Sequence, residues 1–113
     1  MAAGCSGTPL ARKLGFKPMS RVLVIGAPPG YATLLEPLPE GVVFEKAPRP
    51  GLDVVHVFRV RQEDLLKQLK ALRTTLDAGV AVWVSWPKKA SKVRTDITED
   101  TIREVALPLG FVD

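Results

Sequence analysis

The sequence contains few of the residues from which metal and nucleophile sites are usually built. Among its 113 residues there is one cysteine, Cys5, and one histidine, His56. A single cysteine excludes a disulfide within the chain, and neither residue has the companions that complete a zinc site. Since no histidine or acid is arranged around Cys5, we expect no nucleophile there. We expect His56, within an apolar run, to be a packed core residue with satisfied ring nitrogens.

Long apolar segments are also missing from the chain. No run approaches the roughly 20 residues that are needed to cross a bilayer. The small residues from Met1 to Gly7 lack the apolar core of a signal peptide. We therefore expect a cytoplasmic protein without membrane contact. Residues 1–7 are predicted to form a flexible tail, and residues 8–113 a single domain.

The charge is balanced except in one place. The chain is 46% hydrophobic and 25% charged, a composition typical of globular proteins. Its net charge of +4 equals the contribution of Lys88, Lys89, Lys92 and Arg94, so the rest of the chain is neutral overall. An excess confined to one loop favours a local binding edge for an anionic partner over a generally cationic surface.

Apolar runs alternate with helical patterns along the chain. Strands are predicted over 21–25, 42–46, 53–60 and 80–86, and helices over 8–15, 31–36, 63–79 and 96–110, the last opening with Asp96 and Glu99 as a capping box. Two strands are continuously apolar, which indicates burial on both faces. The predicted fold is α/β: a three-layer, Rossmann-like, mostly parallel sheet with helices on both faces. Because the chain stops on a strand-like Phe111, we expect the natural protein to continue past Asp113 into further strands.

Three segments should meet at the carboxyl ends of the strands, where sheets of this kind bind ligands near the switch point of strand order. They are the turn after the first strand, the end of the third strand, and the start of the basic loop. Glu45 follows Gly26 by 19 residues, close to the spacing of a ribose-binding acid. The predicted ligand-binding residues are Gly26, Gly30, Tyr31, Glu45, Arg59, Trp86, Lys88 and Lys89.

The first of these segments has two interpretations. It lies where a dinucleotide or S-adenosylmethionine loop would lie, but Pro28 and Pro29 have no N–H with which to cradle a phosphate. Pro29 and Gly30 equally fit the central positions of a type II turn. A nucleotide site and a purely structural turn both remain open, and no cofactor is identified.

The basic loop also has two interpretations. Lys88, Lys89, Lys92 and Arg94 could hold phosphates of a nucleic acid while a tryptophan stacks on a base, or they could form a solvated loop. Trp83 and Trp86 are three residues apart, so they point to opposite faces of a strand, and at least one is expected to pack under a helix.

Several stretches resemble a bacterial domain-of-unknown-function family of the DUF3052 type. They are Gly7-Thr8-Pro9-Leu10 through Lys13-Leu14-Gly15, the Pro28-Pro29-Gly30 turn, and Trp83-Val84-Ser85-Trp86-Pro87-Lys88-Lys89 on through Val93-Arg94-Thr95-Asp96 to Gly110-Phe111-Val112-Asp113. The resemblance covers nearly the whole chain. It implies a Rossmann-like sheet distantly similar to methyltransferases, usually with further strands after Val112, and it carries over no catalytic residue.

Three functions follow as hypotheses. The first is a binding module that holds an anionic or nucleotide-like ligand without chemistry of its own. The second is a reduced methyltransferase-like enzyme in which Glu45 binds the ribose of S-adenosylmethionine. The third is nucleic-acid binding through the basic loop. No pair of carboxylates, catalytic triad or metal cluster is visible in the sequence, and a homo-oligomer formed through an open sheet edge is a further possibility.

Overall fold

The computed structural model describes residues 10–77, 79–87 and 92–111. In this part of the chain, strands and helices alternate. The strands are β1 (Arg21–Ile25), β2 (Val43–Glu45), β3 (Val54–Phe58) and β4 (Ala81–Ser85). The helices are α1 (Leu10–Lys13), α2 (Tyr31–Leu34), α3 (Gln62–Thr75) and α4 (Glu99–Ala106), and α4 runs into a 3₁₀ turn over Leu107–Leu109. The predicted tail lies outside the described residues.

The four strands form one parallel sheet in the order β2-β1-β3-β4. His56 in β3 lies opposite Val24 on one side and Trp83 on the other. Because β1 pairs with β2 on one side and β3 on the other, the order of the strands reverses between β1 and β3. The predicted α/β class with a parallel sheet is confirmed, and the arrangement is consistent with a Rossmann-like fold.

Side chains from alternate positions of the central strands enter two separate cores, as the two-residue period of a strand requires. The α3 core is built from Leu23, Val55 and Val57 of the sheet together with Leu65, Leu69 and Leu72 of α3 and Val105 of α4. The α1–α2 core contains Val22 and Val54 with Ala11, Leu14, Phe16, Tyr31 and Leu35. The helices that pack on the α3 core have 14 and 8 residues, whereas the described parts of those on the α1–α2 core have 4 each.

The leucine spacing that predicted α3 is confirmed, since Leu65, Leu69 and Leu72 are all buried against the sheet. The helix ends at Thr75, four residues before the predicted stop at Gly79. None of the described helices is both long enough and apolar enough to cross a membrane.

Asp96 does not cap the helix that follows it, contrary to the prediction. The N-cap of α4 is Thr98, whose hydroxyl oxygen accepts a hydrogen bond from the backbone N–H of Thr101 at 3.2 Å. Asp96 instead accepts from the backbone N–H of Gln62 at 2.6 Å, at the start of α3. The carboxylate satisfies a free donor and faces the positive end of that helix. The predicted capping box of Asp96 and Glu99 therefore does not form.

We predict that Asp96→Ala lowers the free energy of unfolding by about 1 kcal/mol, because α3 loses its cap. The matched control is Asp100→Ala, which removes an exposed carboxylate from the first turn of α4 and should cost less than about 0.5 kcal/mol. Urea unfolding of both variants measures the difference. Equal losses in the two variants would contradict the assigned role of Asp96.

Candidate functional site

A cavity of about 790 Å³ lies at the carboxyl ends of β1, β3 and β4. Its walls come from the loop after β1, the loop after β3, one face of α3 and the residues that end β4. The lining residues are Gly26, Pro28, Phe58, Arg59, Val60, Asp64, Lys67, Gln68, Ala71, Ser85, Trp86 and Pro87. A second cavity of similar volume, beside α3, α4 and β4, is lined mostly by apolar side chains and lies away from this edge. The carboxyl-end cavity is the one in the position where parallel sheets bind ligands.

Gly26 brings the loop after β1 close to the end of β3. Its φ is +73°, and a Cβ at this position would lie 2.7 Å from the carbonyl oxygen of Phe58 and 2.8 Å from Nη1 of Arg59. No side chain fits in that space. The absence of a side chain at residue 26 therefore allows Arg59 to lie directly against this loop.

The guanidinium of Arg59 is held on two sides. Nη1 donates to the carbonyl oxygen of Phe58 at 3.0 Å, and Nη2 donates to Oε1 of Gln68 at 2.7 Å. The backbone N–H of Arg59 also donates to the carbonyl oxygen of Ser85 at 3.2 Å, which joins the ends of β3 and β4. A guanidinium has five N–H donors, so these two side-chain bonds leave donors for a further acceptor. The site thus holds a positioned cation beside the cavity.

A hydrogen-bonded relay lies on the face of the sheet that carries the α1–α2 core and ends at Ser85, which lines the cavity. The Tyr31 hydroxyl lies 2.8 Å from Nδ1 of His56, and Nε2 of His56 lies 2.7 Å from the Ser85 hydroxyl. The His56 ring also stacks on Phe58 with a centroid distance of 4.2 Å. His56 is only 5% exposed, and both of its ring nitrogens have partners. The prediction of a satisfied core histidine is confirmed.

Burial keeps both aromatic members of the relay neutral. Desolvation lowers the pKa of His56 to about 4 and raises the pKa of Tyr31 to about 12. At any pH between these two pKa values, the imidazole of His56 and the phenol of Tyr31 are both uncharged. The three members of the relay are therefore held together by hydrogen bonds between neutral groups, without ionic attraction.

Of the predicted ligand-binding residues, Gly26, Arg59 and Trp86 line the cavity. Tyr31 does not: it is 7% exposed and lies in the α1–α2 core. Glu45 also lies elsewhere, where its carboxylate pairs with Arg49 at 2.9 Å. Trp86 combines two roles, because it also packs against the α3 core.

The loop after β1 contains the structural turn. The backbone N–H of Tyr31 donates to the carbonyl oxygen of Pro28 at 3.3 Å, and Gly30 has φ 80° and ψ 2°. These values are those of the third residue of a type II turn, as the Pro29–Gly30 pair predicted. Gly30 itself does not line the cavity.

The basic loop is only partly described. Lys88 and Lys89 lie outside the described residues, whereas Lys92 and Arg94 are exposed and do not line the cavity. Among the residues that are described, no group of three or more histidine, cysteine or acidic side chains could hold a metal ion.

The two tryptophans point to opposite faces, as predicted. Nε1 of Trp83 donates to the carbonyl oxygen of Leu14 at 2.9 Å, on the face of the α1–α2 core. Trp86 packs on the other face against the α3 core.

Sequence reasoning missed Ser85, Lys67 and Gln68. The signal for the α3 residues was present, since Asp64, Lys67, Gln68 and Ala71 recur at helical spacing and so share one face of the helix. Ser85 could not be linked to His56 from the sequence, because 29 residues separate them and only the register of β3 and β4 brings them together.

Comparison with protein-family models, with curated proteins and with solved structures gave no match. The resemblance to the DUF3052-type family therefore stays a prediction from the residues that carry it.

We predict that Gly26→Ala destabilises the protein by about 2 kcal/mol or more, because the new methyl group meets the Phe58 carbonyl and the backbone has a left-handed conformation. Gly30→Ala is the matched control, since its φ is +80° but a Cβ there meets nothing within 4 Å. The difference between the unfolding free energies of the two variants measures the cost of the clash between a Cβ at residue 26 and the Phe58 carbonyl. Equal stability of the two variants would contradict the close contact between Gly26 and Phe58.

We predict that stability rises with pH between about 4 and 6.5, the folded and ordinary pKa values of His56. In this window the unfolded chain binds a proton at His56 that the native state excludes, so raising the pH favours the native state. The full effect is about 3 kcal/mol. Urea unfolding across the window, compared with His56→Gln, separates this contribution from that of the carboxylates. If the unfolding free energies of the wild-type protein and of His56→Gln changed equally with pH, the predicted contribution of His56 would be wrong.

Proposed function

We propose that this chain is a binding module that holds an anionic, nucleotide-like ligand in the carboxyl-end cavity, without chemistry of its own. The observation that carries the proposal is the positioned guanidinium of Arg59. It lies against Gly26 and is held by Phe58 and Gln68. A fixed planar cation with free donors is well suited to a phosphate or carboxylate group.

The remaining walls of the cavity support a ligand with one charged end and one apolar end. Lys67 adds a second cation, and Asp64 is the one acid among the described lining residues. Trp86 and Pro87 provide an apolar wall against which a base could lie. A volume of about 790 Å³ is within the range typical of small-molecule sites.

The test begins with a thermal-shift screen of the full chain against common nucleotides, pyrophosphate, S-adenosylmethionine and a short DNA, at low and at moderate salt. A ligand that binds only the native state raises Tm by mass action. We expect nucleotides to raise Tm at both salt concentrations. A shift with DNA alone that disappears with salt would move the site to the basic loop.

We predict that Arg59→Gln weakens binding of the responding nucleotide by about 10- to 100-fold, the effect of losing a hydrogen bond to a charged group. Arg61→Gln is the matched control, because Arg61 is exposed and does not line the cavity. Calorimetric titration of both variants gives the affinities, and their Tm values without ligand show that each is folded. If no compound in the screen binds, or if both variants bind equally weakly, the proposal is wrong.

A further inference from the structure

The hydroxyl proton of Tyr31 determines which nitrogen of His56 carries a proton. Tyr31 is buried and neutral, and within the described residues its hydroxyl has one hydrogen-bond partner, Nδ1 of His56. If the hydroxyl donates its proton in that bond, Nδ1 must be the unprotonated, accepting nitrogen. A neutral imidazole carries one N–H, so the proton lies on Nε2.

The opposite arrangement is disfavoured by its unsatisfied donor. If Nδ1 carried the proton and donated to the Tyr31 oxygen, the phenol hydrogen would have no acceptor among the described residues. Buried donors without partners are rare in native structures. No buried side-chain nitrogen or oxygen in the described chain lacks a partner. The burial of Tyr31 thus determines the direction of the whole relay.

The same order of donors and acceptors continues from His56 to Ser85 at the cavity. The N–H at Nε2 donates to the Ser85 hydroxyl oxygen at 2.7 Å, so Ser85 is the acceptor in that bond. Its own hydrogen is then available for another acceptor. Ser85 is half-buried and lines the cavity beside Arg59. Since Nε2 has no free lone pair in this arrangement, His56 cannot take a proton from Ser85, and the relay does not activate a nucleophile.

We propose that Ser85 is a dedicated hydrogen-bond donor to an oxyanion of the ligand, directed into the cavity by Tyr31 and His56. The proposal rests on the binding function proposed above and names the group that this site recognises. The ligand presents an acceptor-only oxygen, such as that of a phosphate, to Ser85 and Arg59 together. Tyr31 and His56 are positioning residues that do not contact the ligand.

The first experiment measures the relay without any ligand. Because the chain has one histidine, two-bond ¹H–¹⁵N correlation spectra near neutral pH report on His56 alone. We expect Nε2 to be protonated and Nδ1 to be an unprotonated acceptor. A protonated Nδ1 in the wild-type protein would overturn the proposal, whatever the binding results show.

The second experiment measures affinity with pyrophosphate, an oxyanion that has no base. We expect Ser85→Ala to weaken its binding by about fivefold to tenfold, as for the loss of a single hydrogen bond. Tyr31→Phe should also weaken binding, but by less than Ser85→Ala, although Tyr31 does not line the cavity. In that variant nothing donates to Nδ1, so His56 prefers the tautomer with the proton on Nε2 less strongly. In the molecules that carry the proton on Nδ1, the Ser85 hydroxyl donates to Nε2 instead of the ligand. Ser20→Ala, which alters a buried serine before β1, is the control and should bind as wild type does.

The outcomes separate the two proposals. If Arg59→Gln loses affinity while Ser85→Ala and Tyr31→Phe bind pyrophosphate as tightly as wild type, the donor role is wrong and the binding function stands. If Ser85→Ala loses affinity but Tyr31→Phe does not, the relay does not direct Ser85 and the proposal is overturned. If the wild-type protein binds neither pyrophosphate nor any nucleotide, both proposals fail.

Discussion

The two ring nitrogens of His56 are buried on the α1–α2 face of the sheet, where water does not satisfy them, and two different elements of the fold supply their partners. A buried polar group without a hydrogen bond costs about 1–3 kcal/mol. Tyr31 satisfies one nitrogen from α2, and Ser85 satisfies the other from β4. The histidine thereby connects a helix on one face to the edge of the sheet. Its ring is further held by stacking on Phe58, so the three-residue relay has little freedom to rearrange.

The cavity follows from the reversal of strand order between β1 and β3. After β1 the chain packs α2 on the face of the α1–α2 core, and after β3 it packs α3 on the other face. The loops at the two carboxyl ends therefore separate and leave a space between them. On one side of that space, Gly26 lies in close contact with Arg59. Strand topology thus creates the site, and one missing side chain positions the cation within it.

Much of the fold could be predicted from the sequence because it depends on local patterns. Apolar runs located the strands, with β1 matching at both ends, and leucine spacing located α3. The segments around Gly26, Arg59 and Trp86 were also predicted to meet, because strand ends in parallel sheets meet at one edge. These inferences require only the period of a strand or helix and the rule for parallel connections.

The rest depends on tertiary contacts that no local pattern encodes. Tyr31 follows a turn at the expected rim, but the first residue of a helix can point towards the ligand or into the core, and here it points into the core. Asp96 matched the pattern of a capping box, yet it caps a helix that begins 34 residues earlier in the chain. Glu45 matched the spacing of a ribose-binding acid, whereas its partner is Arg49, four residues further along the chain in the loop after β2.

The capping of α3 from a distant segment has a consequence for synthesis on the ribosome. The helix α3 carries the cavity residues Asp64, Lys67 and Gln68, but its cap is Asp96, and Thr95 donates to the carbonyl oxygen of Val60 just before the helix. As the chain emerges, β1 to β3 and the body of α3 are available early. The entrance to the helix is secured only after Asp96 has left the exit tunnel. The start of this cavity wall is therefore completed by residues that come 34 positions later in the chain.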